Sequence, residues 1–333
     1  MLDFNKRMTH SKLNILITVD LEDWFQVENF KQYIPFSSWS ERKLRVEKNA
    51  HMLLDLFDSS ETSGKIEISR LNYADINSNQ HPVINNDHQA SFIKPSVSNK
   101  IRATFFILGW IADRLPQLVQ EIERRGHEVA SHGYRHDLCT SQTKLDLQND
   151  LIKSKHILED LTGKAVLGYR APSFVINQDM LKIIQGCGFL YDSSYNSFTL
   201  HDRYGHIDIP KDQNKRLAFE LIDNFYEIPV SNLIVANQVL PWGGGGYFRL
   251  IPFFIYSLGV KLNLKKNDGF VFYIHPWELD PEQPRVKEAA PFLRFRHYTN
   301  LKKTETKLKK FINAFNECNF ITCQQYIHYN SKQ

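Results

Sequence analysis

The sequence predicts an α/β fold built around a parallel β-sheet. Short apolar runs alternate with amphipathic segments along most of the chain, and glycines close several of the helical segments. The apolar runs are near-continuous rather than alternating, which is typical of strands buried on both faces. Repeated βα units of this kind favour a parallel sheet, and a barrel if the sheet closes on itself.

The predicted elements follow one another in a regular order. The first strand is predicted at Ile15–Val19, and a helical pattern follows near Glu41–Phe57. The later elements are strand Ala103–Leu108, a helix through Leu115–Ile122 that Gly126 ends, strand Glu128–Ser131, helix Leu147–Leu161, strand Ala165–Tyr169, helix Asp179–Gln185, strands Phe189–Tyr191, Tyr226–Val230 and Phe270–Ile274, and a final helix Leu301–Phe315.

Two regions interrupt this rhythm. Residues Ser59–Lys100 are rich in Asn, Ser, His and Asp and are far longer than an ordinary connection between a helix and a strand. We predict a polar insertion there, partly disordered. The second region, Pro241–Arg249, contains four successive glycines beside aromatic residues. It is predicted to be a loop, and a phosphate-binding role is poorly supported because neither glycine-rich phosphate motif is present.

Composition excludes several classes of protein. The 41 Lys and Arg residues against 37 Asp and Glu are dispersed, so the net charge of +4 does not indicate nucleic-acid binding. Four cysteines without a CxxC motif are too sparse for a disulfide scaffold or a structural zinc site. The apolar runs Ile15–Val19 and Ile251–Val260 are too short for a signal peptide or a membrane span, which leads us to expect a cytoplasmic protein.

Reactive side chains stand at the carboxyl ends of five predicted strands. In a parallel barrel these ends converge on one face, where such folds build their active sites. The residues are Asp20 with Glu22 and Asp23, His132 with His136, Arg170, Asp192, and His275.

A metal site is the simplest reason for two of these groups. The imidazoles of His132 and His136 can meet on one metal ion, and a carboxylate would complete a catalytic set with an open position. Asp20, Glu22 and Asp23 repel one another unless a cation or a proton relieves them. The alternative is a pair of surface histidines, with Glu22 and Asp23 capping the next helix.

Five segments in order resemble the motifs of a known family. They are Thr18-Val-Asp20, Ala103-Thr-Phe-Phe106, Gly126-His-Glu-Val-Ala-Ser-His132-Gly-Tyr-Arg-His136, Tyr169-Arg170-Ala-Pro172-Ser-Phe and Tyr273-Ile-His275-Pro-Trp-Glu278. These segments resemble the polysaccharide deacetylases, also called the NodB-homology family or carbohydrate esterase family four. The start Val-Asp-Leu-Glu-Asp-Trp-Phe, the Gly-Gly-Tyr-Phe-Arg segment and Phe295-Arg-His-Tyr298 resemble a subgroup associated with bacterial exopolysaccharide biosynthesis loci.

The resemblance implies a distorted (β/α) barrel that holds a divalent metal, usually zinc, and hydrolyses N-acetyl groups of amino sugars. It implies one barrel domain over residues 12–328, with the 59–100 insertion inside it. Residues 200–328 would then form a C-terminal region specific to the subgroup, contributing the last barrel strand and the glycine-aromatic loop.

The resemblance also assigns roles to the strand-end residues. Asp20 matches the catalytic base, and Arg170 the arginine that orients this base. His132 and His136 match the metal ligands, and His275 matches the general acid. One departure concerns the metal-binding aspartate, which usually follows the base directly. Leu21 stands there, so Glu22 and Asp23 are the candidates, and we prefer Asp23 because aspartate is the usual ligand of the family.

Further residues complete the expected site. A carboxylate should hold the His275 ring and raise its pKa, and Asp192 or Glu227 could do so. Aromatic side chains stack well on sugar rings, so Trp242, in the glycine-rich segment, is the preferred substrate-binding residue, together with Tyr247. Pro172, in the arginine motif, is expected in the groove wall.

The sequence thus predicts a metal-dependent hydrolase that acts on an N-acetylated glycan or its lipid-linked precursor. One alternative is hydrolysis of a small amide or cyclic imide on the same barrel, because fold does not settle substrate. Another is a non-catalytic carbohydrate-binding protein on a decayed barrel. No nucleic acid or transmembrane segment is expected, and the oligomeric state is left open.

Overall fold

A computed structural model describes residues 13–63, 100–198, 207–209 and 216–330 of the chain. Its strands are β1 (Asn14–Leu21), β2 (Ala103–Ile107), β3 (Glu128–Ser131), β4 (Gly168–Tyr169), β5 (Tyr191–Asp192), β6 (Phe219–Ile222), β7 (Phe225–Glu227), β8 (Asn232–Val235), β9 (Gln238–Pro241), β10 (Gly269–Ile274) and β11 (Asn319–Phe320). Its α-helices are α1 (Val46–Asp58), α2 (Gly109–Arg114), α3 (Pro116–Arg124), α4 (Lys144–Thr162), α5 (Gln178–Gly186), α6 (Gly245–Leu250), α7 (Phe253–Lys266), α8 (Pro291–Tyr298), α9 (Leu301–Ala314) and α10 (Cys323–Asn330). Short 3-10 helices lie at Glu28–Phe30, Phe36–Glu41, Cys139–Ser141, Pro172–Phe174 and Pro276–Leu279.

One curled sheet carries nearly all of the strands. Its order is β10-β1-β2-β3-β4-β5-β7-β6, with β11 also paired to the start of β1. The pairs are parallel from β10 to β7, and β6 returns antiparallel to β7. Beyond β7 the chain reaches the free edge of β10, where Ser231 N donates to Val271 O and Tyr273 N donates to Gly243 O. The predicted distorted (β/α) barrel is confirmed.

Helix boundaries follow local sequence signals. The Thr143 side chain accepts a hydrogen bond from Asp146 N at the start of α4, and the Asn177 side chain accepts one from Met180 N at the start of α5. Gly163 ends α4 in the left-handed conformation, with φ of 66°. These caps fix where each helix leaves the sheet, and so where the next strand begins.

Alternation along the strands separates two apolar clusters. Ile15, Ile17 and Val19 of β1 pack in the larger cluster with the helices, whereas Leu16 packs in the smaller cluster inside the curl. Because successive strand side chains point to opposite faces, Thr18 and Asp20 share the inner face with Leu16. The interior is therefore apolar at mid-height and polar at the carboxyl ends of the strands.

The two regions that interrupt the predicted rhythm have different outcomes. Most of the 59–100 insertion lies outside the described residues, but Glu61 and Lys100 form an antiparallel bridge where the chain leaves and returns. The glycine-rich segment was predicted to be a loop, and this is wrong in part because its last two glycines begin α6. Helix α7, which follows directly, was not predicted.

Candidate active site

The inner-face residues at the carboxyl ends of the strands form one cleft. Asp20 and Glu22 come from β1 and the residue beyond its end, His132 and His136 follow β3, and His275 follows β10. Arg170 follows β4 and is fully buried behind Asp20. The structure therefore brings together side chains that lie far apart in sequence, as the barrel predicts.

Glu22, His132 and His136 form a compact group of metal-ligating side chains. One ligand atom of each lies within 4.8 Å of the others, and all three residues are buried. His132 Nδ1 lies 2.8 Å from Arg170 O, so this nitrogen donates to the carbonyl and leaves Nε2 as the ligand atom. His136 adopts a left-handed backbone with φ of 56°, next to a turn that Gly133 opens with φ of 74°.

The donor set fits a divalent metal. Glu22 Oε2 lies 3.0 Å from His136 Nε2, yet this buried oxygen has no hydrogen-bond partner among the described residues. Two imidazoles and one carboxylate with an open side are the ligands of many catalytic zinc sites. Burial lowers the pKa of His132 to about 4, so its ring is neutral as a metal ligand requires.

Glu22 is ionised despite its burial. Burial alone would raise its pKa, but the imidazoles of His136, His275 and His132 lower the pKa to about 2. An ionised carboxylate can serve as a metal ligand. Glu22 is the acidic residue that lies with the two histidines.

The position of Asp23 contradicts the preference for this residue as the metal carboxylate. Its carboxylate accepts backbone hydrogen bonds from Trp24, Arg45 and Val46, at 2.8, 2.6 and 2.9 Å. It therefore holds the start of α1 rather than facing the histidines. Burial raises the pKa of Asp23 to about 6, against the effect of these hydrogen bonds. Asp20 and Glu22 share one side of the chain, and Asp23 lies on the other.

Asp20 is held by a buried arginine. Arg170 Nη1 donates to Asp20 Oδ1 at 2.7 Å and to Thr18 Oγ1 at 2.8 Å. The rest of the guanidinium donates to the carbonyl and hydroxyl of Ser193. Because four hydrogen bonds fix Arg170, the Asp20 carboxylate is oriented with its second oxygen towards the cleft, 3.8 Å from His275 Nε2.

His275 is oriented by Glu278, a residue that the sequence analysis quoted but gave no role. Glu278 Oε1 lies 3.0 Å from His275 Nδ1, and its Oε2 accepts a hydrogen bond from Arg249 Nε at 2.7 Å. Burial opposes the charged form of His275, but Glu278, Glu22 and Asp20 raise its pKa to about 9. The His275 ring is therefore an imidazolium at neutral pH.

A glycine makes room for this carboxylate. A Cβ atom on Gly245 would lie 2.1 Å from Glu278 Oε1, so only glycine allows α6 to approach so closely. Arg249, one turn further along α6, also donates to the carbonyls of His297, Thr299 and Arg296. The glycine-rich segment therefore packs around Glu278. The spacing of Gly245 and Arg249 is the sequence signal that could have revealed this contact.

The proposed role of Asp192 or Glu227 in holding His275 is wrong. Asp192 accepts two hydrogen bonds from Ser194, and Glu227 accepts one from Tyr195 N. Burial and the Asp192 charge raise the pKa of Glu227 well above its usual value. These two carboxyls pair with each other on adjacent strands, where Tyr191 and Tyr226 take the inner face and leave Asp192 and Glu227 the outer one.

The predicted substrate-binding residues separate into two groups. Tyr247 lines the cleft, with the Arg296 guanidinium 5.6 Å from its ring centre. Trp242 does not line it, because its ring is buried, stacks on Tyr256 and donates to Tyr256 O at 3.0 Å. Pro172 is also buried, and its neighbours Ser173 and Phe174 line the cleft instead. Trp277, stacked on the His275 ring, is a further aromatic lining residue.

Two family models match parts of the chain. Residues 84–191 match the family model described as polysaccharide deacetylase, and residues 193–328 match a family described as a domain of unknown function. Residues 84–191 are therefore similar to the polysaccharide deacetylase family. The relatives described next are named deacetylases. These names agree with the predicted enzyme class, a hydrolase of the polysaccharide N-deacetylase type.

Three relatives illustrate the extent of the likeness. A peptidoglycan deacetylase of Helicobacter pylori is 32% identical over 139 residues, 39% of this chain and 47% of the relative. A peptidoglycan-N-acetylglucosamine deacetylase of Bacillus cereus is 33% identical over 25% of this chain and 30% of its own length. A peptidoglycan deacetylase-like protein of Gibberella zeae is 38% identical over 28% of each chain. The matched part spans less than half the length of each relative.

A solved structure extends the likeness in fold to nearly the whole chain. It is provisionally described as a polysaccharide deacetylase from Mycobacterium smegmatis, and it aligns with a TM-score of 0.52 over 98% of this chain and 93% of its own. The two sequences are 16% identical, so this likeness shows the fold alone.

Proposed function

We propose that this protein is a metal-dependent deacetylase that removes N-acetyl groups from an amino-sugar-containing glycan, or from its lipid-linked precursor, in exopolysaccharide biosynthesis. The observation that carries the proposal is the cleft itself. A buried group of Glu22, His132 and His136 lies beside an arginine-held Asp20 and a charged His275. Metal-assisted amide hydrolysis uses these three parts: a metal, a base and an acid.

Glu22, His132 and His136 would hold the metal. A divalent ion bound there would polarise the acetamide carbonyl and make water a stronger nucleophile at neutral pH. Zinc suits two imidazoles and one carboxylate, and it is the metal that we propose.

Asp20 serves as the base in this proposal. Its second oxygen faces the cleft, while its first oxygen accepts a hydrogen bond from Arg170, which also donates to Thr18. Asp20 can therefore accept the proton of the attacking water without rotating. Arg170 also places a positive charge beside the Asp20 carboxylate. Arg170 is a positioning residue, since it lies behind Asp20 and outside the cleft lining.

His275 serves as the acid. Its Nε2 faces Glu22 and Asp20 across the cleft, and Glu278 holds Nδ1, so the proton available to substrate is the one on Nε2. An amine leaves readily only after protonation, and a histidine with its pKa raised to about 9 remains charged until that step. After donation, Glu278 and Arg249 keep the ring in the same orientation for the next cycle.

The glycan and its location are the finer parts of the proposal. Phe174, Tyr247 and Trp277 line the cleft and offer flat faces to sugar rings. The exopolysaccharide role rests on the resemblance of the start and of the C-terminal segments to the subgroup found in such loci. A cytoplasmic location is supported by four free cysteines, which are typical of reducing compartments, and cell fractionation tests it.

The deciding experiment measures metal content and acetate release together. Purified protein should contain about one zinc ion per chain, release acetate from N-acetylglucosamine oligomers, lose this activity with a chelator and regain it with zinc. Cleavage of cyclic imides without acetate release would favour the small-amide alternative. A protein that binds the oligomers, with or without metal, but hydrolyses neither substrate would be the non-catalytic alternative.

A further inference from the structure

Helix α7 and the β8–β9 hairpin expose an unusual number of large apolar side chains. Phe254 is 75% exposed, Leu258 is 58% exposed and Ile234 is 53% exposed. We call this surface the α7–hairpin face. It consists of Phe254, Leu258 and Leu262 of α7 and of Ile234 of the hairpin, which the strand register places on the side opposite to buried Leu233. Contiguous apolar patches on a protein surface mark interaction sites.

The apolar residues of α7 form one stripe. Residues 254, 258 and 262 lie four apart and follow one side of the helix, whereas Tyr256, Val260 and Asn263 are buried on the other side. The hairpin lies alongside, because Asn263 Nδ2 donates to Asn232 O at 2.8 Å and Lys266 Nζ to Ile234 O at 3.3 Å. The hairpin therefore packs beside α7, on the side of Asn263 and Lys266, and Ile234 lies next to that helix.

The charged residues of α7 and of the hairpin have a single sign. From Ile228 to Asn267 the sequence contains no Asp or Glu, although the chain has 37 such residues. The cations of this stretch are Lys261, Lys265 and Lys266 on α7 and Arg249, which is buried against Glu278. Lys261 and Lys265 are exposed and lie at the helical spacing of the apolar stripe, so they border it.

We propose that the α7–hairpin face docks peripherally on an anionic lipid bilayer. Apolar side chains flanked by lysines, without acidic residues, match the interfacial region of such a membrane. A second copy of this chain suits the face less well, because a two-fold contact would bring the lysines of both copies together. No helix in the described parts of the chain is long and apolar enough to span a bilayer.

Docking would also orient the cleft. Helix α6, which lines the cleft with Gly246, Tyr247 and Arg249, is separated from α7 by only Ile251 and Pro252. A membrane that contacts Phe254, in the first turn of α7, would therefore lie near α6. If the proposed function holds, on which this step alone rests, the substrate is the lipid-linked precursor, whose sugar the membrane would present beside Tyr247.

The test is cosedimentation with phosphatidylcholine vesicles, with and without phosphatidylglycerol. The intact protein should bind the anionic vesicles, and Phe254→Ser should weaken binding about tenfold because a large apolar side chain no longer enters the interface. Phe292→Ser is the matched control. Phe292 is a phenylalanine 67% exposed on α8, outside this face, and its replacement should leave binding unchanged.

A second variant keeps the test decisive if the first folds poorly. Lys261→Gln with Lys265→Gln changes only exposed side chains and should weaken binding to anionic vesicles about fivefold for each lysine, with no effect on neutral ones. Absence of vesicle binding by the intact protein would overturn the proposal. So would equal losses in Phe254→Ser and Phe292→Ser, or a dimer in sedimentation that Phe254→Ser dissociates.

Acetate release from N-acetylglucosamine oligomers separates this inference from the proposed function. Phe254→Ser should retain this activity, because Phe254 lies outside the cleft lining. A protein that binds vesicles but never releases acetate would refute the deacetylase and leave the membrane surface standing.

Discussion

The two ends of strand β3 bury the same kinds of side chain with pKa shifts in opposite directions. At the carboxyl end, where His132 follows the strand, Glu22 has its pKa lowered to about 2 and His275 has its pKa raised to about 9. At the amino end, burial raises the pKa of Glu128 and lowers that of His127 to about 3. Burial is nearly the same at both ends, so it does not explain the difference.

The groups that face these side chains explain the difference in their pKa shifts. Glu128 accepts hydrogen bonds from Tyr191 OH, Thr104 Oγ1 and Gln324 N, which are neutral donors. His127 Nδ1 accepts one from Ala103 N, and Phe57 and Phe105 pack against its ring. At the carboxyl end, by contrast, imidazoles face carboxylates directly. An opposite charge nearby favours the charged form of a buried group, whereas burial among neutral partners disfavours it, and for His127 the nearby Arg102 and Arg125 disfavour it further.

The largest expected effect tests whether the carboxyl end holds a metal. In a His132→Ala, His136→Ala double variant, bound zinc and acetate release should both disappear, because one carboxylate alone does not retain the ion. The folded structure should persist, since an open catalytic site contributes less to folding than a closed structural one. Metal analysis and circular dichroism check this, with His156→Ala, an exposed histidine of α4, as the control. Full zinc occupancy in the double variant would refute the ligand assignment.

The next effect concerns the base. Asp20→Asn should keep the metal, because Asp20 lies outside the ligand group, but should lower kcat by roughly 10²–10⁴. Asp160→Asn, at an exposed position of α4, should leave kcat unchanged. Equal zinc content in both variants ties the lost rate to proton transfer. A change in kcat of less than about twofold in Asp20→Asn would assign the base elsewhere.

A smaller effect tests the charge on His275. Activity requires the imidazolium, so it should fall as pH rises through the His275 pKa near 9. Glu278→Gln removes the carboxylate that most directly raises this pKa, and the alkaline limb of the pH profile of kcat should move down by about one unit. Glu282→Gln, at an exposed glutamate four residues on, should leave the limb in place. An unshifted limb in Glu278→Gln would show that this contact is structural only.

The matching change at the other end should affect stability and not catalysis. The pKa of Glu128 lies above that of a carboxyl in the unfolded chain, so its stabilising effect is lost as pH rises through the folded value. Glu128→Gln removes this dependence, so the free energy of unfolding of the variant should fall less than that of the intact protein as pH rises. Urea unfolding on both sides of neutrality measures it. A variant that is less stable at alkaline pH would mean that Glu128 is ionised in the folded protein.

The smallest effect is expected at the insertion. Glu61 and Lys100 pair near the start of β2, so the intervening segment leaves and returns at the amino end of the barrel. Replacing residues 64–99 with a short Gly/Ser linker should leave kcat and KM unchanged, because loops at that end lie away from the cleft. Kinetics on N-acetylglucosamine oligomers check it. Lost activity in a folded variant would mean that the insertion reaches the substrate.

The sequence predicted the fold and the convergence of the strand ends, but it did not predict every contact. The alternation along β1 places Asp20 and Glu22 on one side, and applied strictly it would have favoured Glu22 over Asp23. The usual aspartate ligand of the family favours Asp23, whereas strand geometry favours Glu22. The roles of Asp20, His132, His136, Arg170 and His275 remain predictions that the experiments above address.

Other features were hidden for physical reasons. Glu278 acts on His275 through a short 3-10 turn at Pro276–Leu279, a contact that three-residue spacing only suggests. Trp242 was misplaced because flanking glycines indicate exposure, whereas Gly259 lets the ring pack tightly against α7. Helix α7 was not predicted because both of its faces carry apolar residues. The usual amphipathic period is therefore absent from its sequence.

Pairing between β1 and β10 determines when the candidate site is complete during synthesis. The two strands pair over six residues in register, so the strand that leads to Asp20 depends on one made some 250 residues later. A ribosome-bound chain that already contains Glu22, His132 and His136 still lacks His275 and Glu278. Under the proposed mechanism the acid is therefore missing until β10 has emerged and docked, and an interrupted or truncated product should release no acetate.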